Sequence, residues 1–109
     1  MAETGTIEIT ASMARRMYDY TDIGHELPEA DKAAVWVSMY EQIKAQGAGT
    51  TGATIVVDTT ALDEIVSWSS YEAEMASPYD FDTALECASY RRTMAALEKR
   101  ARAALAVRS

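Results

Sequence analysis

The hydrophobic pattern changes period several times along the chain, and each change marks an element. Thr6-Ile7-Glu8-Ile9-Thr10 alternates polar and apolar positions with β-branched side chains, which predicts a short half-buried strand over 6–10. The spacing then becomes helical: Met13, Met17 and Tyr20 share one face, with Thr10 and Ser12 as candidate N-caps ahead of them. Gly24 supplies a stop, because the left-handed position that closes a helix favours glycine. Pro28 opens a second helix at its first position, with Glu29 and Asp31 near the positive end of the dipole. Ala33, Trp36, Tyr40 and Ile43 form the buried stripe of that helix, and Gly47 ends it.

Thr54-Ile55-Val56-Val57-Asp58 is apolar without interruption at its centre, which predicts a second strand, buried on both faces. Helical spacing resumes at once. Thr60 is the expected cap, Asp63 lies in the acidic first turn, and Leu62, Ile65, Val66 and Ser69 form the stripe. Ser77-Pro78-Tyr79-Asp80 offers an N-cap, a first-position proline and an acid, and Thr83 with Glu86 offers a second capping pair. From there to Val107 no Gly or Pro intervenes and good helix formers dominate, so a long C-terminal helix is expected over about 78–107. On it Cys87, Tyr90, Met94, Leu97, Ala101 and Ala104 alternate spacings of three and four, a heptad-type seam. The chain therefore reads β-α-α-β-α-α: a single, mostly helical α+β domain over 1–109 with a small two-stranded sheet. The Thr-Ile stretches near 6 and 54 each lead into a helix, but two matching segments do not make a repeat architecture.

With 109 residues, 49% of them apolar, and only two Pro and five Gly, the chain has the composition of a globular domain and not of a disordered or collagen-like one. No apolar run approaches the roughly 20 residues of a membrane span. The opening Met-Ala-Glu-Thr-Gly has neither the basic nor the apolar region of a signal peptide, so no membrane association and a cytoplasmic location are expected. One cysteine excludes an internal disulfide framework. Twenty Ala, no Asn and seven Arg against three Lys fit coding from a GC-rich genome, such as that of an actinobacterium or one of its phages.

Charge placement says more than the net −7. Residues 1–90 hold four basic and sixteen acidic residues, a balance of −12, whereas 91–109 hold six basic and one acidic, a balance of +5. Between Lys44 and Arg91 there is no Lys or Arg, and Asp58, Asp63, Glu64, Glu72, Glu74, Asp80, Asp82 and Glu86 all fall in that interval. An acidic body beside a basic tail segment suggests a charged partner, with neutralisation inside the chain as the plainer alternative. Arg91, Arg92, Lys99, Arg100, Arg102 and Arg108 would be the phosphate contacts of a nucleic-acid binder. The acidic remainder would repel phosphate, so direct nucleic-acid binding is not expected.

No set of residues converges on catalysis. Gly47-x-x-x-x-Gly52 has the spacing of a phosphate-binding loop, but Ala53 stands where the lysine belongs and a strand follows, not a helix. His25 is the only histidine; with Asp22, Glu26 and Glu29 nearby it still lacks the second imidazole or thiolate that zinc sites use, and it reads as an exposed loop residue. Asp80-Phe81-Asp82 could face a hard cation, but capping explains both acids. Cys87 falls on the seam and reads as a small buried apolar residue. No catalytic residue, metal ligand or cofactor is assigned.

The expected function is accordingly that of a small acidic, non-enzymatic interaction factor. An accessory protein of a phage or mobile element that modulates a basic, nucleic-acid-handling protein fits this best. Its partner-binding face would be Asp63, Glu64, Glu72, Glu74, Asp80 and Asp82. Two alternatives stand beside it: a subunit that self-assembles, as a homodimer, through Cys87, Tyr90, Met94, Leu97, Ala101 and Ala104, and a small nucleic-acid-binding regulator that uses the basic C-terminal helix.

Overall fold

A computed structural model of the chain describes residues 4–22 and 30–108. The elements are β1 (Thr4–Ile9), α1 (Ala11–Asp22), α2 (Ala30–Ala45), β2 (Ala53–Asp58), α3 (Thr59–Met75), a 3-10 turn (Pro78–Asp80) and α4 (Ala84–Arg108). The α+β class, the β-α-α-β-α-α order and the long C-terminal helix are those the sequence predicts. Contacts divide the chain into two compact units, Met1–Leu62 and Asp63–Ser109. Gly24, His25, Pro28 and Glu29, which the sequence reading placed in a helix stop, a loop and a helix start, lie outside the described residues.

In the first unit β1 and β2 pair antiparallel, from Thr4 opposite Asp58 to Ile9 opposite Ala53. Ile7, Ile9, Ala53, Ile55 and Val57 are buried on one face. Thr6, Glu8, Thr54 and Val56 are exposed on the other, with Val56 at 53%. The expectation that 54–58 is buried on both faces is therefore wrong. Burial on both sides needs helices over both faces, and here α2 stands along the edge of β2 instead. Gln42 donates its amide to the Val56 carbonyl (3.2 Å) and accepts from the Val56 N–H (2.6 Å). Gln46 donates to the Thr54 carbonyl (2.8 Å) and accepts from the Thr54 N–H (3.0 Å). Four residues of helix rise about 6.0 Å and two residues of strand about 6.8 Å, so glutamines at i and i+4 match alternate strand residues. Their carboxamides act as a third strand and close an edge that would otherwise invite pairing with another chain.

The helices start and stop where local chemistry dictates. Thr10 caps α1, its Oγ1 accepting from the Met13 N–H at 3.3 Å. Met13, Ala14 and Met17 are buried, and Tyr20 meets Trp36 of α2 edge-on at 4.8 Å between ring centroids. On α2 Trp36, Met39 and Ile43 are buried. The helix closes with the Ala48 N–H donating to the Ile43 carbonyl across Gly47, whose φ of +118° only glycine adopts freely. α3 is capped by Asp58, whose Oδ1 accepts from the Ala61 N–H at 2.8 Å, and not by Thr60 as expected, because the strand passes into the helix without a linker.

In the second unit the expected start of the last helix near 78 also shifts. Ser77 and Pro78 cap a separate 3-10 turn, and Thr83 caps α4 by accepting from the Glu86 N–H at 3.1 Å. Of two successive capping signals, the first made one turn and the second made the helix. Ile65, Ser69, Ala76, Cys87, Met94, Leu97 and Ala101 are buried. The Ser69 hydroxyl is satisfied within its own helix, donating to the Ile65 carbonyl at 2.6 Å. Among the described residues no helix is long and apolar enough to cross a membrane.

Candidate functional site

The end of α3, the 3-10 turn and the start of α4 form a braced corner within the second unit. Tyr90 donates its hydroxyl to Glu72 at 2.8 Å, tying α4 to α3. Arg91 donates from Nε to the Ala76 carbonyl at 3.1 Å and also from its terminal guanidinium nitrogen. A cation at the C-terminal end of α3 also complements that helix's dipole. Phe81 packs against the Tyr90 ring at 5.2 Å between centroids, fixing the turn.

Around these braces large apolar side chains face solvent. Tyr79 is 98% exposed, Leu85 80%, Tyr71 60% and Met75 57%. They alternate in sequence with Glu74, Asp80 and Asp82, which are exposed as well. Isolated exposed apolar residues are ordinary, but four within fifteen residues, interspersed with acids and ahead of Arg91, make this stretch amphipathic. Tyrosine joins an apolar ring to a polar tip, the combination favoured at protein interfaces.

The six acids assigned to a partner-binding face do not share one. Asp63 and Glu74 lie on the exposed stripe of α3, whereas Glu64 and Glu72 flank it, half-buried, and Glu72 is held by Tyr90. Asp80 and Asp82 are exposed in and after the turn. Of the seam residues, Cys87, Met94, Leu97 and Ala101 are buried within a single chain, and Tyr90 and Ala104 are half-buried. The heptad spacing thus marks a helix face covered by the chain's own residues. Of the basic residues on α4, Arg91 is engaged at Ala76 and Arg102 pairs with Glu98 at 2.7 Å. The sequence did not disclose that a residue from the acidic set and one from the seam, Glu72 and Tyr90, would bond to each other. Sequence alone leaves Tyr71 and Tyr79 between a contact surface amid the acids and core packing, with core packing favoured, and assigns Met75 and Leu85 no role; all four are exposed.

In the first unit a cleft of about 350 Å³ lies between α2 and β2. Ala34, Val35, Met39 and Val56 supply apolar walls, and Ser38, Gln42 and Asp58 supply polar groups. Nearby, Tyr18 and Tyr40 stack at 4.8 Å and Tyr40 donates to Asp22 at 2.8 Å. The loop from Gly47 to Gly52 joins a helix to a strand and so presents no helix N-terminus to a phosphate. Among the described residues no three His, Cys, Asp or Glu side chains are grouped as a metal would require. No family model, curated protein or solved structure matches the chain.

Proposed function

We propose that the chain is a non-enzymatic protein-binding factor whose α3–turn–α4 corner engages a basic partner, of the kind that handles nucleic acid. The observation that supports this reading is the exposure of Tyr71, Met75, Tyr79 and Leu85 among Glu74, Asp80 and Asp82. Apolar contact area supplies affinity, and the surrounding carboxylates select a basic surface and speed encounter with it. The braces at Tyr90 and Arg91 hold the stretch in place before binding, which lowers the ordering cost of association. A surface of exposed carboxylates also resembles a run of phosphates in charge, so it competes for a nucleic-acid groove without resembling nucleic acid in shape.

The experiment is capture from extract of the cells that express the chain, with mass spectrometry. Three immobilised forms are compared: native, Y79A/L85A and E74K/D80K/D82K. None of the five substituted residues is buried, so folding should be unchanged by circular dichroism. The reading requires a basic protein captured by the native chain and lost with both variants. Equal capture by all three forms would dismiss the corner as the binding surface.

A further inference from the structure

β1 and β2 have one outer edge each, and the two edges are treated differently. The N–H and C=O groups of Thr54 and Val56 face away from β1, since Gln46 and Gln42 bind them there. Alternation in an antiparallel ladder then gives the inner hydrogen bonds to the Gly5–Val57, Ile7–Ile55 and Ile9–Ala53 pairs. The same alternation turns the N–H and C=O of Thr4, Thr6 and Glu8 outward. Thr4 and Thr6 are exposed, and their outward backbone groups meet no partner among the described residues. β1 has no proline, its register with β2 runs without a bulge, and its one charge is Glu8. It therefore lacks most of the devices that shield a sheet edge.

We propose that a second copy of the chain pairs at this edge, β1 against β1, antiparallel about a two-fold axis at Thr6. Thr6 then faces Thr6 of the second copy, and the two exchange both backbone hydrogen bonds. Thr4 stands opposite Glu8 of the second copy. The two Glu8 carboxylates are thus four residues apart along the ladder, about 14 Å, beyond the screening length of about 8 Å. An axis at Glu8 would instead set them face to face. On the other face Ile7 stands opposite Gly5 of the second copy, where no side chain competes for the space. The product is a four-stranded sheet, β2-β1-β1-β2, whose outer edges are the two that glutamines close. Growth stops at the dimer, a closed isologous contact. Self-matching side chains and closure after one addition point to a copy of the chain as the occupant, not a foreign strand. The proposal concerns a different part of the chain from the corner and stands without it.

The test is sedimentation of the full chain between about 10 and 500 µM, with amide hydrogen exchange at both ends of that range. So short a ladder is a small interface, and a dissociation constant of about 100 µM is expected. The Thr6 amide should then exchange about threefold more slowly at the high concentration than at the low one. The Thr54 and Val56 amides, held by the glutamines, should exchange alike at both. Thr6→Pro removes the outward N–H and leaves the inner bonds of Gly5 and Ile7, the setting in which an edge strand accepts proline. It should stay folded by circular dichroism and sediment as a monomer throughout. Thr6→Lys sets two ammonium groups opposite each other and should weaken the dimer about fivefold, whereas Thr4→Lys faces Glu8 of the second copy and should tighten it about threefold. A chain that is monomeric across the range overturns the proposal and leaves the edge to a strand of another protein. A dimer whose Thr6 amide exchanges no more slowly, or one undiminished in a folded Thr6→Pro variant, overturns it too. If that variant does not fold, the opposite responses of the two lysine variants decide.

Discussion

The Tyr40 phenol is strongly displaced from its ordinary ionisation. Its hydrogen bond with Tyr18, and then that with Asp22, push the phenol well above the ordinary tyrosine range. Both favour the neutral hydroxyl over the phenolate. A raised folded-state pKa means that the contribution to stability is complete below the unfolded value of about 10 and is lost as pH rises through the folded one. Ultraviolet titration of the native chain should therefore show a tyrosine step above the ordinary phenol range, and Tyr40→Phe should abolish it. At Ala48 the backbone sits at φ +52°, in the left-handed region that a Cβ disfavours. Ala48→Gly relieves this, offset by the greater freedom of glycine in the unfolded chain, so a net gain of about 0.5 kcal/mol is expected from urea denaturation. Neither feature was legible in the sequence. A tyrosine's partners eighteen residues away, and an alanine forced left-handed between Gly47 and Gly49, leave no local signature.

Elements were legible where one residue's chemistry sets a boundary. Thr10, Gly47 and Thr83 act where the sequence placed them, because caps and left-handed closures depend on neighbours within a few residues. Edge packing was not legible. The sequence assigns Gln42 and Gln46 no role and reads Val56 as doubly buried, until α2 is seen alongside β2. Replacing either glutamine by alanine leaves strand donors and acceptors facing solvent and a shorter side chain beside them. Each substitution should lower stability by about 1 kcal/mol in chemical denaturation. The double variant Q42A/Q46A exposes the whole edge, and light scattering on warming should show association at temperatures where the native chain stays dispersed. Stability lost without added association would mean that the amides act only as packing. At the corner, Tyr90→Phe removes the bond to Glu72 and should cost about 1 kcal/mol, seen as a lower melting temperature.

On the scale of the whole molecule, charge asymmetry was legible and its disposition was not. The acidic interval from 45 to 90 places Glu74, Asp80 and Asp82 at the surface, yet Glu72 answers a tyrosine and Asp58 a helix start. Acids counted from sequence do not separate capping and bracing from free charge, since the difference lies in tertiary partners. The same holds for the seam: its period identified a packed face, and only the fold shows that one chain covers most of it. What distinguishes a functional corner from a merely solvated one is whether its charge governs encounter. Long-range attraction between opposite charges is screened over about 8 Å at physiological salt, so it appears in the association rate more than in dissociation.

The most direct measurement is therefore the association rate of the captured partner with immobilised native and E74K/D80K/D82K chains across a series of salt concentrations. The native rate should fall steeply as salt rises, by tenfold or more between about 50 and 500 mM, while the variant starts slow and changes little. Equal rates for the two forms, or a native rate indifferent to salt, would contradict the assignment of the acidic, apolar corner as the surface that meets a basic protein.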